Sequence, residues 1–339
     1  MEAVVSIMER RNFLKQLSLL PLVLSLTYAK ESSSDAWNLG KYGQFEFEHM
    51  HKNLYIMHGI NRHDLDEESQ WFINNPAFIE SKNGLIVIDA GGSHAIGKQV
   101  LKQIERISKK PIIAIFMTHN HGDHWFATGA LKEKYPKAKL YGHKNLEASA
   151  RIRYFENIGD AKKNFSMARP IFYPTEFVDD GDSVEIDGEK FEIEHSPFSH
   201  TNSDITIAHK NSNTLFTGDL VLRDILANFG YKSSIRGNIR FLEKMIKEKH
   251  EYQLYVPGHG HSGSKEETIE PYYKFLKIIE MEAQKVYDLE EDFFTLKEHV
   301  EQVISKVEWE EIEGFDTHFI LQYLEHIYLE IEEEARSQI

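Results

Sequence analysis

Residues 111–125 read "PIIAIFMTHNHGDHW", an unbroken apolar run followed by His119, His121, Asp123 and His124 within six positions. A run without polar interruption is the pattern of a strand covered on both faces. On extended chain, residues two apart project to the same side. His119 and His121 can therefore reach one ion together, and Asp123 and His124, one turn on, can address a second ion nearby. Gly122 lets the backbone bend tightly between the two pairs. Four polar side chains gathered at the end of a buried strand are costly to hold unless something compensates. The spacing predicts that a pair of metal ions does so.

Further donors follow along the chain. "HSPFSHTNSD" (195–204) offers His195 and His200, and "LFTGDLV" (215–221) offers Asp219 at a strand end. "YVPGHGHSG" (255–263) offers His259 and His261, again at a strand end among glycines. Each alone reads as easily as a structural polar residue. Together they supply the three donors per metal that a catalytic site with an open position requires. The chain has no cysteine, so any metal is held by nitrogen and oxygen, and thiolate nucleophiles and disulfides are excluded.

The chain has 339 residues, of which 41% are hydrophobic, enough for a sizeable core. The formal net charge of −15 argues against nucleic acid as a partner and leaves a small-molecule substrate. From about residue 44, strands and helices alternate. Residues 44–59 read as two short strands and 76–92 as a hairpin turning at Asn83-Gly84. Residues 93–109 carry apolar side chains at helical spacing, and 125–134 and 144–165 also look helical. A second hairpin over 182–196 turns at Asp187-Gly188. "DITIAHK", "NTLFTGDLV" and "YQLYVPGHG" are further strands, with a helix over 237–249. This predicts an α/β (α+β) chain with two sheets packed together, helices outside and the site along one edge.

Residues 263–339 differ, with no strand pattern and 21 acidic against 7 basic side chains. Phe319, Tyr323, Ile327 and Ile331 recur every four residues, with Ile320, Leu324 and Tyr328 beside them, which makes a broad apolar helix face. Tyr272, Phe275, Leu276 and Ile279 offer a matching face on the preceding helix. The expected extension is a helical cap beside the site, with acidic outer faces that disfavour anionic substrates at its entrance. A homodimer through these helices is the alternative. At the other end, "ERRNFLKQLSLLPLVLSLTYAK" (9–30) has the basic, apolar, small-residue order of a secretory signal. Its Arg10-Arg11 pair predicts a twin-arginine signal over residues 1–29 and a periplasmic protein, membrane-anchored if the signal stays uncleaved.

Five motifs in order resemble the metallo-β-lactamase-fold hydrolase superfamily. They are Asp89 in "LIVIDAGG", "THNHGDH", His200 in "SHTNSD", Asp219 in "FTGDL" and His259 in "VPGHG". More narrowly, the export signal, residues 74–100 and the tail resemble periplasmic quinoprotein relay system zinc metallohydrolases. The resemblance implies a four-layer αββα sandwich over residues 44–262, the catalytic domain. It implies two zinc ions per chain, with iron as an alternative. His119, His121 and His200 would hold the first ion, Asp123, His124 and His259 the second, and Asp219 would bridge them. Asp89 would orient a ligand. The expected activity is hydrolysis of an ester, thioester, lactone or related bond by a metal-activated hydroxide, with Asp123 or Asp219 receiving the proton. A β-lactamase, a mononuclear iron sulfur dioxygenase and a non-catalytic metal-binding accessory protein are the competing readings. The bridging carboxylate weighs against the first, because dizinc β-lactamases carry Cys or a non-carboxylate there. Trp71, Trp125 and His261 are the expected pocket walls.

Overall fold

The computed structural model describes residues 46–60, 72–156, 168, 170–230, 232–290, 293–307 and 317–337. Trp71 and the signal expected over residues 1–29 lie outside them. Twelve strands form two sheets among the described residues. The first sheet runs β1 (Glu48–His51), β2 (Leu54–Ile56), β3 (Ala77–Glu80), β4 (Leu85–Ile88), β5 (Ile112–Phe116), β6 (Lys139–His143) and β7 (Glu176–Val178), in that order. Pairing is antiparallel from β1 to β4 and parallel from β4 to β7. The second sheet has the order β12 (Leu254–His259), β11 (Thr214–Leu222), β10 (Asp204–His209), β9 (Glu189–Ser196), β8 (Ser183–Ile186). Its pairs are antiparallel except β11 with β12.

The sheets face one another across a core that includes Ile79, Ile86, Phe116, Phe191, Ile205, Ile207 and Phe216. Helices cover both outer faces. α1 (His94–Ile107), α2 (Gly122–Trp125), α3 (Thr128–Lys134) and α4 (Leu146–Arg151) belong to the first half. α5 (Ile235–Lys247), α6 (Lys265–Asp288), α7 (Leu296–Lys306) and α8 (Thr317–Ser337) follow in the second. This is the four-layer αββα sandwich with a C-terminal helical region. β5 carries the apolar run because it lies inside the sheet and is covered on both faces, with four of its five residues buried.

Two strands escape the sequence pattern. β6 and β7 have five and three residues and hold their places only by parallel pairing with distant chain. Such short segments carry too few residues for a period to show. The helix expected over 144–165 begins as α4 and passes into a π turn over Ile152–Glu156.

The tail helices bury their apolar face within the chain. Ile320, Tyr323, Leu324, Ile327 and Ile331 of α8 share one core with Ile239 and Leu242 of α5 and with Tyr272, Phe275, Leu276 and Ile279 of α6. A polar contact fixes the angle of docking. Ser234 caps α5, and Glu330 of α8 reaches the same N-terminus. Its carboxylate accepts from Ser234 Oγ at 2.8 Å, Ile235 N at 2.7 Å and Arg236 N at 3.1 Å. A carboxylate there meets both unpaired N–H groups and the positive end of the helix dipole. Glu330→Ala is expected to lower unfolding free energy by about 1–2 kcal/mol, read from urea titration, with Glu330→Gln recovering part of it. An alanine variant as stable as the parent would show that apolar contact alone holds the tail.

Candidate metal centre

The donors meet at one edge of the sandwich, where strands of both sheets end. β5 leads through Thr118 into His119 and His121 on extended chain, and Asp123 and His124 occupy α2 immediately after. Asp219 lies in β11 beside Gly218, whose φ of 52° bends the strand. His259 ends β12, and His200 sits in the β9–β10 connection. A backbone bond from Ile205 N to Thr118 O, 2.9 Å, ties the two halves together at this edge.

Their ligating atoms fall into two sets, His119, His121, His200 and Asp219 in one and Asp123, His124 and His259 in the other. Asp219 faces both. Its Oδ2 lies 3.1 Å from His200 Nε2 and 3.6 Å from His119 Nε2. Its Oδ1 lies 3.1 Å from His124 Nε2 and 3.3 Å from His259 Nε2. Asp123 Oδ2 stands 3.2 Å from His259 Nε2. A Cβ at residue 258 would collide with Asp219 Oδ1, so only glycine lets β12 pass this close.

The cluster fits a metal pair. His119 Nε2 and Asp219 Oδ1 are buried without a hydrogen-bond partner. His200 Nε2 faces His121 Nδ1 at 2.8 Å, and His124 Nε2 faces His259 Nε2 at 3.2 Å. Opposed ring nitrogens and a stranded carboxylate oxygen are poor company when buried. Divalent metal bound among them would satisfy these atoms.

The outer contacts set the tautomers. Asp89 Oδ2 lies 2.7 Å from His124 Nδ1, so that nitrogen donates to the carboxylate and Nε2 is turned to the site, where it can bind metal once its proton is displaced. Asp89 is itself held by Thr118, through N at 2.9 Å and Oγ1 at 2.7 Å, and Thr118 Oγ1 in turn lies 3.0 Å from His119 Nδ1. Asp89 occupies the left-handed region at φ 50°, a strained choice for a non-glycine residue. His259 Nδ1 donates to Ile73 O at 2.8 Å. Asn75 clamps the chain around His259, donating to Pro257 O at 3.0 Å and Gly260 O at 2.7 Å.

Not every expected residue joins. Trp125 is buried in the core beneath the donor loop, its Nε1 donating to Asn120 O at 3.1 Å, so it supports the loop. His261 turns outward and pairs with Asp224 at 2.5 Å. Gly260, at φ 81°, breaks the alternation that placed it beside His259. His195 stacks on His143 with ring centres 3.8 Å apart, away from both donor sets. Among the described residues, a cavity of about 320 Å³ above the donors is lined by Ile73, Arg153, Tyr154, Ile225, Ala227 and Asn228. None of these carries a spacing signal in the sequence, because each reaches the cavity through tertiary packing.

Burial and the neighbouring His124 keep His119 well below its ordinary pKa, and burial with Arg153 does the same for His121. For His124 burial is outweighed by Asp219, Asp89 and Asp123, which push it well above the usual value. His259 follows, raised to about 9 against burial by Asp219 and Asp123. Burial alone would raise Asp123 and Asp219, but the facing imidazoles hold both below the usual carboxylate range.

The Metallo-beta-lactamase superfamily profile matches residues 70–259. A Metallo-beta-lactamase type 2 of Bacillus sp. (strain 170) is 23% identical over 194 residues, 57% of this chain and 68% of the relative. A Hydroxyacylglutathione hydrolase of Francisella tularensis subsp. novicida (strain U112) is 26% identical over 155 residues, 44% of this chain and 50% of the relative. Among solved structures, a stereoselective inverting sec-alkylsulfatase from Pseudomonas sp. superposes with a TM-score of 0.63 at 16% identity. That match covers 85% of this chain and 50% of the alkylsulfatase, so the chain spans about half of its length. A metallo-beta-lactamase from Pontibacter korlensis gives 0.53 at 17% identity, over 66% of this chain and 95% of its own. At such identities these two likenesses are of fold.

In the metal-free protein the raised values keep His124 and His259 protonated at neutral pH, and metal must displace those protons. Metal binding at pH 7 is therefore expected to release protons, and apparent affinity should climb towards pH 9. The raised His259 value stabilises the metal-free fold fully below its unfolded value of 6.5, and that contribution fades as pH rises through about 9. Calorimetry in two buffers of different ionisation enthalpy counts the protons. Binding with no proton release at pH 7 would contradict this charge assignment.

Proposed function

The chain belongs to the metallo-beta-lactamase superfamily, and from that premise we propose that it is a dinuclear zinc hydrolase cleaving an ester, thioester, lactone or related bond of a small molecule. The observation that carries the reading is Asp219, with one carboxylate oxygen turned to each donor set. His119, His121 and His200 would hold one ion with Asp219 Oδ2, and Asp123, His124 and His259 the other with Oδ1. Imidazole and carboxylate donors without cysteine suit zinc. Bound there, the pair supplies a Lewis acid and an acidified water.

The chain's own residues do the rest. Asp123 is the more accessible donor carboxylate, 14% exposed against 1% for Asp219, and it borders the cavity. As the more exposed donor carboxylate bordering the cavity, it would be the one to take up a proton as the substrate is attacked. Asp89 and Ile73 O fix the rings of His124 and His259, so neither turns as charge moves. Ile73, Ile225 and Ala227 give the cavity apolar walls that displace water from part of it. The shared carboxylate in a cysteine-free chain supports an esterase-type hydrolase over a β-lactamase.

Metal analysis of purified protein, with a hydrolysis screen over esters, thioesters, lactones, β-lactams and phosphodiesters, tests the reading. The expected result is two zinc ions per chain and metal-dependent turnover of an ester-type substrate. Asp219→Ala is expected to lower turnover at least about 100-fold and to reduce the metal count, with the fold retained. A single iron per fully loaded chain would replace the reading with an oxygenase. The reading also includes periplasmic delivery by the twin-arginine route. Replacing Arg10 and Arg11 by Lys should leave the protein in the cytoplasm, and unchanged delivery would overturn that part.

A further inference from the structure

Arg153 stands at the metal cavity without a task in holding or orienting the donors. Among the described residues that line the cavity it is the one permanent cation. It lies in the π turn Ile152–Glu156, the kind of helix irregularity that often marks a functional position. The guanidinium is held in place. Its Nε donates to Tyr154 Oη at 3.1 Å, and the same phenol oxygen accepts from Gly122 N, 2.8 Å away in the donor loop. Gly230 makes room on the other side, since a Cβ there would stand 2.8 Å from Arg153 Nη1.

What it lacks is a carboxylate. Arg151 pairs with Glu147, Arg223 with Asp224, and Arg236 with Glu280 and Glu334. Among the described residues no acid pairs with Arg153. In a chain with 54 acidic against 39 basic side chains, an arginine without an acidic partner among the described residues and held beside the donors is placed for a ligand. Its Nε is committed to Tyr154, and the terminal nitrogens retain the planar donor geometry that suits an oxyanion. Across the cavity, Ile73, Ile225 and Ala227 offer apolar surface.

We infer that Arg153 receives an anionic oxygen group of the substrate, a carboxylate or a sulfate or phosphate group, while the apolar wall takes the adjoining carbon skeleton. The inference rests on the hydrolase reading and names the substrate class of that same site. Arg153 is then a specificity-determining contact, and Tyr154 positions it. The acidic tail, expected to disfavour such substrates, supplies no carboxylate to the cavity lining among the described residues, and charges at the outer surface are screened by salt over about 10 Å.

The test compares zinc-loaded protein with Arg153→Met and Arg153→Lys on 4-nitrophenyl acetate and on mono-4-nitrophenyl succinate. 4-Nitrophenyl sulfate and 4-nitrophenyl phosphate show which anion is preferred. The anionic ester is expected to be the better substrate by kcat/KM. Arg153→Met should cut its advantage over the neutral ester roughly 10- to 100-fold, mainly through KM, and Arg153→Lys should restore part of it. Calorimetric binding of succinate to zinc-loaded and metal-free protein is the second readout, expected to weaken in Arg153→Met in both forms. Esters cleaved without preference for the anion, or equal losses on both esters, would overturn the inference and leave the hydrolase reading standing. If neither ester is cleaved, the wider hydrolysis screen decides the hydrolase reading, and succinate binding that ignores residue 153 overturns the inference by itself.

Discussion

One buried carboxylate, Asp219, organises this molecule's edge. Its two oxygens address four imidazole nitrogens from 3.1 to 3.6 Å away, from chain segments far apart in sequence. Such a cluster is expensive to bury and is sustained by counter-charge and by rigid supports. Much of the surrounding structure supplies those supports. Gly258 lets β12 come close, Asn75 clamps its end, and Asp89 and Thr118 set the rings on the β5 side. The strain of Asp89 at φ 50° is explained by this role, since one carboxylate there meets Thr118 and His124 together.

The parts of this arrangement that were legible in the sequence are those whose cause is local. β5 could be read because a strand covered on both faces needs an unbroken apolar run, and the first four donors follow within six residues. The β8–β9 turn was legible for a similar reason, as Asp187 and Gly188 take φ of 52° and 88°, values that Asp-Gly favours. β6 and β7 were not legible, because pairing with distant strands makes them strands. His261 and Trp125 show how local rules mislead. His261, an expected pocket wall, is turned outward because Gly260 leaves the extended region. Trp125, another, lies at the end of α2 with its ring in the core. Arg153 gave no signal at all, because an arginine in a helical stretch acquires meaning only from what the fold sets beside it, here the cavity and Tyr154.

The helical tail affects the site without touching its donors. Tyr323 Oη donates to Ala227 O at 2.5 Å, and Phe229 lies between the Tyr323 and His200 rings, 5.2 and 5.4 Å from their centres. The segment 225–230 that lines the cavity is thus fixed from behind by α8. The apolar stripe that called for a partner surface is answered by α5 and α6, and through them the stripe helps to shape the cavity wall.

The distribution of charge completes the argument. A chain of net charge −15 concentrates its acidity in the tail, while its donor centre combines five imidazoles and two carboxylates, a set that two divalent ions would leave cationic. Arg153 adds to that local sign, and the nearest acidic side chains lining the cavity, Asp123 and Asp219, belong to the donor sets themselves. The two signs serve different ranges. Surface acidity governs solubility and long-range encounter and weakens as salt rises, whereas contacts to the buried donors are screened far less. A substrate with an oxyanion near its scissile bond would meet repulsion at the outer surface and attraction from Arg153 and a loaded metal centre within. The cavity therefore selects at short range, where the chain has placed Arg153 and the two donor sets.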